Sequence, residues 1–339
     1  MPSFRNDYSY LAHPRILEAL SKYQDENNIA YGLDKHSAKA SQLIKQIFNS
    51  PDGEVHFLAG GTQTNMVFIT SCLKHYEGVI SCDTGHINVH ESACIEGNGH
   101  KIITVKNHNG KLTPNDINEV MRLYNGEHMV KPGMIYISNS TEIGTIYQKQ
   151  ELIDLYKCAK ENGLYLFIDG ARLGAALTSS EADYEPSLLG EVCDAFYIGG
   201  TKNGLLFGEA LVINNKELQK DFRYHIKNKG AMLAKGYAVG IQFEEAFKDG
   251  LYFELAKNTN EMADKLKVVL ISHNLKVLPS PTNQLFAQVN KELGHKLIEE
   301  FGLELWSVDE EEMVVRFVTS FMTTLKDVEA VNIFLSSLL

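Results

Sequence analysis

The chain has 339 residues, with 32 lysines and arginines against 43 aspartates and glutamates, for a formal net charge of −11. That length exceeds the roughly 100–200 residues of one domain, so two domains are expected, and acidity without a basic cluster argues against a nucleic-acid backbone as partner. The five cysteines (Cys72, Cys82, Cys94, Cys158 and Cys193) are scattered and contain no Cys-x-x-Cys pair, as free thiols of a cytoplasmic protein would be, and no stretch approaches the ~18–20 apolar residues of a membrane span.

In chain order, apolar runs rich in β-branched and aromatic residues predict strands at 54–58, 78–82, 101–105, 133–138, 164–169, 194–199 and 209–213. Amphipathic helix-length stretches such as 113–125 and 149–162 lie between most of them, the first opening with Thr113 as N-cap and Pro114 in the first turn. This alternation implies βαβ units and a mainly parallel sheet covered on both faces. From Lys216 the pattern becomes a long helical stretch interrupted by glycines, then two strand-like runs at 283–289 and 313–318, each followed by a helix. The expected division is a large α/β domain over 1–250 and a smaller α+β domain over 251–339. Trp306 and the apolar run after Leu303 read as core of the small domain.

In open α/β sheets ligands sit beyond the carboxyl ends of strands. Three strand ends carry unusual chemistry. "FLAGGTQTN" (57–65) ends a strand in two glycines, with a helix expected from Thr62. The free N–H groups of Gly61, Thr62 and Gln63 there would suit a phosphate, or the turn is plain punctuation. "LYLFIDGARLG" (164–174) leaves Asp169 at the end of an apolar strand with Arg172 three residues on. The plain reading is a local ion pair or an N-cap, and the sharper one gives Asp169 to a protonated ring nitrogen and Arg172 to a substrate carboxylate. In "YIGGTKNGLLFG" (197–208), Lys202 stands among Gly199, Gly200 and Gly204, which leave room for a planar group. A lysine in such a site loses its proton readily and attacks carbonyls. His86, His90 and Glu91 are spaced as metal ligands could be, but no fourth ligand is evident and no metal is expected.

A phosphate cradle, a ring-nitrogen acid and a Schiff-base lysine together describe a pyridoxal 5'-phosphate site. The ordered motifs "FRNDYS" (4–9), "YGLD" (31–34), "GGTQTN" (60–65), "GHINVHE" (85–91), "DGARL" (169–173) and "VRFVTS" (315–320) resemble those of the threonine aldolase and β-eliminating lyase group of fold-type-I pyridoxal-phosphate enzymes. "TEIGTIY" (141–147), "GTKNG" (200–204) and "VVRFVTSF" (314–321) are most similar to the low-specificity threonine and phenylserine aldolase branch.

The resemblance implies a fold-type-I large domain with a small α+β domain, the N-terminal segment to about residue 15 packing on the latter. It gives Lys202 to the cofactor aldehyde, Asp169 to the ring nitrogen, His86 to the ring face, and Gly61, Thr62 and Gln63 to the phosphate. Arg172 and Arg316 would grip the substrate carboxylate as bidentate forks. The implied reaction is cleavage of the Cα–Cβ bond of L-threonine or L-allo-threonine to glycine and acetaldehyde. The alternatives are a β-eliminating lyase releasing pyruvate and ammonia, or a cofactor scaffold without catalysis.

Three departures mark this chain. Glu142 stands where many relatives have a histidine, leaving the base open between Glu142, His86 and a water on the cofactor phosphate. Asn6 replaces a carboxylate-binding serine. Leu233 takes the place of an arginine that relatives lend to the phosphate across a subunit interface, with Lys235 nearby as substitute. A homo-oligomer, dimer or tetramer, with Tyr31 and Lys235 crossing from the neighbouring subunit, follows from the same resemblance.

Overall fold

In the computed structural model, which describes residues 2–338, the large domain is organised by seven strands: β1 (Glu54–Leu58), β2 (Glu77–Cys82), β3 (Ile102–Val105), β4 (Lys131–Ser138), β5 (Tyr165–Asp169), β6 (Ala195–Gly199) and β7 (Glu209–Ile213). They form one sheet in the order β1-β7-β6-β5-β4-β2-β3. The pairs from β3 through β6 are parallel, whereas β7 runs antiparallel to both β1 and β6.

Side-chain alternation explains why this sheet needs two covering layers. Leu166 and Ile168 of β5 belong to one buried cluster and Phe167, between them, to the other. Neighbouring β6 repeats this, with Phe196 and Ile198 on one face and Ala195 and Tyr197 on the opposite one. Both faces being apolar, the strands read as continuous runs rather than alternating ones. Helices supply the cover. Pro114–Leu123 starts with a full capping box between Thr113 and Asp116, and Lys149–Glu161 inserts Leu152 and Leu155 into the first cluster.

The helical stretch from Lys216 is divided into Lys216–Gln219, Phe222–Asn228, Tyr237–Lys248 and Leu251–Ser272, the first break at Asp221 in a left-handed conformation and the other two at glycines. A second, wholly antiparallel sheet follows: β8 (Lys276–Val277), β9 (Gln284–Asn290), β10 (Glu304–Val308) and β11 (Glu312–Val318), in the order β10-β11-β9-β8. Its own buried cluster includes Phe4 from the N-terminal segment. The Phe4 N–H donates to Phe301 O at 3.0 Å, and Val318 N–H donates to Phe4 O at 2.8 Å. This stitches the chain's start to the second sheet.

β10 corrects the reading of Trp306 as small-domain core. It is an edge strand whose pairing with β11 is interrupted between Leu305 and Ser307, and Leu305 and Val308 are exposed. A break in register destroys the period-two pattern by which a strand is recognised. Trp306 is only half-buried, meeting Phe286 edge-on and lying 5.4 Å from the Arg316 guanidinium. Among the described residues, no helix is long and apolar enough to cross a membrane.

Candidate active site

The carboxyl ends of β1, β4, β5 and β6 open on one cavity of about 310 Å³. After β1, the helix Gly61–Cys72 begins at Gly61, one residue before the expected Thr62. Thr64 is the first residue whose N–H bonds back, to Gly60 O at 3.0 Å. The N–H groups of Gly61, Thr62 and Gln63 are the donors that a helix start leaves free, with the dipole of a twelve-residue helix behind them. The Gln63 side chain turns back to accept the Ala59 N–H at 3.1 Å, tightening the turn. A Cβ on Gly61 would stand 2.9 Å from Tyr197 Oη, so glycine at this position admits the tyrosine.

Asp169 ends β5 with its carboxylate buried and fully engaged. Oδ2 accepts from Tyr136 Oη at 2.6 Å and Asn65 Nδ2 at 3.0 Å, while Oδ1 accepts from Ala171 N at 3.0 Å. Burial by itself would raise its pKa. His86 and the hydrogen bonds from Tyr136, Tyr197 and Asn65 outweigh burial and hold it below the ordinary carboxylate value. The plain alternative of a local pair with Arg172 is not what forms. The Arg172 fork instead clasps Asp7, Nε to Oδ2 at 2.7 Å and Nη2 to Oδ1 at 3.0 Å, and Asn283 Nδ2 adds a bond to Asp7 at 3.0 Å. Arg172 lines the cavity with its fork already engaged.

Lys202 follows β6. Among the described residues its Nζ has no hydrogen-bond or ion-pair partner, and it lies 5.8 Å from the centre of the Tyr8 ring. Enclosure lowers its pKa, with the Arg172 charge acting in the same direction against Asp7, Asp169 and Glu209. The flanking glycines have a further reason beyond room for a ring: a Cβ on Gly199 would come 2.2 Å from Ala171 O. The Lys202 turn is thereby pressed against the exit of β5.

His86 and Glu91 behave as a unit. His86 Nδ1 lies 2.7 Å from Glu91 Oε1, which also accepts from Asn65 Nδ2 at 2.7 Å, and Cys94 Sγ donates to Glu91 Oε2 at 3.0 Å. A buried carboxylate so engaged fixes the imidazole ring and links it through Asn65 to Asp169. Among the described residues, no group of three or more histidine, cysteine, aspartate or glutamate side chains is placed to hold a metal. Glu142 receives Ser138 Oγ at 2.6 Å and His86 N at 2.9 Å on Oε1, while its buried Oε2 has no partner. Burial raises its pKa.

An outer cavity of about 680 Å³ shares Tyr8, His86, Glu142, Arg172 and Lys202 with the inner one and adds His90, Gln284, Glu304, Trp306 and Arg316. Arg316 donates Nη1 to Gln284 Oε1 at 3.1 Å and pairs through Nη2 with Glu304, leaving its buried Nε without a partner. Four expected residues, Gln63, Asn6, Tyr31 and Lys235, line neither cavity. Asn6 is buried and spends Oδ1 on Tyr8 N and Ser9 Oγ, at 3.1 and 2.8 Å. Tyr31 and Lys235 are exposed, and the Tyr31 N–H bonds Ala234 O at 3.0 Å, so the two share one surface patch. Sequence reasoning passed over Asp7, Tyr8, Tyr136, Tyr197 and Glu209, and weighed Glu91 only as a metal ligand. Asp7 and Tyr8 lay inside the motif "FRNDYS", but nothing in the sequence pairs Asp7 with a residue 165 positions away.

Residues 12–292 match the sequence model of the beta-eliminating lyase family. The chain belongs to that family. A low specificity L-threonine aldolase from a Pseudomonas species is 31% identical, over 82% of this chain and 81% of its own length. A counterpart of the same name from Saccharomyces cerevisiae is 27% identical over 61% of this chain and 53% of its own. The structure of a Leishmania major threonine aldolase superposes on this beta-eliminating lyase family member with a TM-score of 0.97, at 41% identity and covering 100% of this chain and 99% of that one. Thermus thermophilus aspartate aminotransferase, at 14% identity and a TM-score of 0.70 over 100% of this chain and 91% of that one, shares the fold.

The site fits pyridoxal phosphate. Three free N–H groups at a helix start suit its phosphate, the ionised Asp169 carboxylate suits a protonated ring nitrogen, and an unpartnered lysine amine suits its aldehyde. All three line the inner cavity through Gly61, Thr62, Asp169 and Lys202.

Proposed function

We propose that this family member is a pyridoxal-phosphate-dependent aldolase that cleaves β-hydroxy-α-amino acids, L-threonine or L-allo-threonine among them, to glycine and an aldehyde, acetaldehyde for these two. One observation carries the reading: an ionised, fully hydrogen-bonded Asp169 and a Lys202 without a partner among the described residues share a cavity with Glu142, whose Oε2 is likewise unpartnered among those residues. When bound, pyridoxal phosphate supplies the electron sink for the carbanion left on the glycine carbon. Lys202, its pKa lowered by enclosure and by Arg172, presents an amine able to bond the cofactor aldehyde. The Asp169 charge keeps the ring nitrogen protonated, with His86 held in place beside it by Glu91.

The substrate carboxylate goes to Arg316, whose Nε is free, and to the edge of Arg172 that Asp7 leaves open. Glu304 yields Arg316 as the substrate enters. Glu142 takes the β-hydroxyl proton at Oε2. A carboxyl with a raised pKa is the stronger base once ionised, and the bonds from the Ser138 hydroxyl and the His86 N–H keep Oε1 fixed. The enzyme is cytoplasmic and works as a dimer or tetramer, with Tyr31 and Lys235 reaching the neighbouring subunit's site. Their sharing of one exposed patch supports this.

Incubation with L-threonine tests the reaction: acetaldehyde and glycine are the expected products, and 2-oxobutanoate with ammonia (pyruvate with ammonia from L-serine) would instead mark β-elimination. Glu142→Gln is expected to lower kcat about 10²–10⁴-fold, the contribution of a positioned base. KM should stay within a few-fold, and the rise of rate with pH through the raised Glu142 pKa should disappear. A wild-type rate in this variant would return the role to His86 or to a water.

A further inference from the structure

Because β7 runs antiparallel to its neighbours, its first residue, Glu209, pairs with Leu58 at the end of β1 on one side and with Gly199 at the end of β6 on the other. Leu58 leads into the helix start at Gly61, and Gly199 leads into the Lys202 turn. Glu209 therefore stands between the phosphate cradle and the lysine, lining the same cavity as Gly60, Gly61, Thr62 and Lys202. Its Oε2 accepts the Gly200 N–H at 2.9 Å and its Oε1 the Thr201 hydroxyl at 2.8 Å, that hydroxyl in turn accepting the Gly208 N–H at 3.1 Å.

Among the described residues, no cation lies within ion-pair distance of this carboxyl, although it is only 4% exposed. The groups facing it are Lys202 from the turn after β6, Asp169 from the end of β5, Tyr197 from β6 and Tyr252 from the helix Leu251–Ser272. Of these groups only Lys202 favours a charged carboxylate; the Thr201 and Gly200 hydrogen bonds act in the same direction, and burial, with Asp169 adding to it, outweighs all three. The cations lining the inner cavity, Arg172 and Lys202, are placed for the substrate carboxylate and the aldehyde. An ionised Glu209 beside the cradle would thus face a phosphate dianion with little to offset the repulsion in a medium of low dielectric. A neutral Glu209 keeps both hydrogen bonds it receives and gains an O–H to donate.

We propose that Glu209 is neutral whenever the cofactor phosphate is bound, so that in alkaline solution it takes up a proton from solvent as the phosphate enters and releases it on departure, and cofactor retention weakens as pH rises there. The inference rests on the reading that this cavity holds pyridoxal phosphate. Burial has already pushed the Glu209 carboxyl up to about 8, so the phosphate has a short way to push it further.

Pyridoxamine 5'-phosphate carries the ring and phosphate without the aldehyde, so its binding leaves Lys202 uncoupled. The full-length enzyme stripped of cofactor is titrated with it in buffers of differing ionisation enthalpy at about pH 9, where an unbound Glu209 is mainly ionised. Wild type is expected to take up about one proton per site more than Glu209→Gln, and its affinity to fall by about a further tenfold per pH unit than the variant's. Equal proton uptake and equal pH slopes would overturn the role of Glu209. Absence of binding to both proteins would overturn the cofactor reading with it. Should Glu209→Gln not fold, infrared difference spectra decide on Glu142→Gln, whose other buried carboxyl of raised pKa is removed. A protonated-carboxyl band appearing on pyridoxamine 5'-phosphate binding at about pH 9 supports the proposal, and its absence refutes it.

Discussion

At the scale of single residues, the site combines groups held tightly with groups left free. Asp7 and Arg172 are held: Asp7 is buried, Arg172 is partly buried, and each satisfies the other through two hydrogen bonds. Burial would raise the Asp7 pKa, but Arg172, Lys202 and Asn283 together leave it lowered. A carboxylate with a lowered folded-state pKa adds stability that is present above its unfolded value and lost as pH falls through the folded one. Asp7→Asn is therefore expected to cost about 3–5 kcal/mol near neutrality, the penalty of an uncompensated buried charge. Its difference from wild type should shrink as pH drops below about 4, measured as urea midpoints across pH. Lys202 is the free group. Lys202→Ala is expected to abolish turnover while leaving the thermal midpoint of the cofactor-stripped protein within a few degrees of wild type, since the amine makes no hydrogen bond or ion pair with described residues. Borohydride reduction of the loaded enzyme followed by peptide mapping should find the pyridoxyl group on Lys202, and a label on another lysine would remove that role.

At the scale of elements, most of the side chains that line the inner cavity lie at or just after strand ends. β5 is the clearest case. Leu166, Phe167 and Ile168 are fully buried on alternating faces, and the next residue is Asp169. A slip of one residue would exchange the two cores and turn the carboxylate away from the cavity. Phe167 packs against Phe68 of the helix that begins at the cradle, ring centres 4.5 Å apart. Phe167→Ala is thus expected to cost about 3–5 kcal/mol of stability by leaving a cavity. It should also weaken cofactor binding, because it loosens the strand that carries Asp169 and the helix that carries the phosphate donors. Equilibrium unfolding and cofactor titration of the one variant test both, and a stability loss with unchanged affinity would show the cradle to be held independently of β5.

At the scale of the whole molecule, Tyr31 and Lys235 share an exposed patch that lies outside both cavities. If these residues serve a neighbouring subunit, mixing Lys202→Ala and Lys235→Ala enzymes under subunit exchange gives hybrids in which one site carries both defects and the other neither. Activity is then expected to rise above both parents. No rise in verified hybrids would assign Lys235 to its own subunit or remove it from the site.

The sequence by itself determined the strands of the large sheet, because their apolar runs are continuous and bounded by turn residues, and it determined the three strand-end features at Gly61, Asp169 and Lys202, because each breaks a local pattern. Those signals reside in contiguous residues. Only the tertiary structure decided that Arg172 engages Asp7 rather than Asp169, that Glu91 braces His86, and that Trp306 lines the outer cavity. It also turned β7 antiparallel and so set Glu209 beside the phosphate donors. Strand direction and partner choice depend on which surfaces meet across hundreds of residues, and a buried charge takes the partner that packing brings within reach rather than the one nearest in the chain.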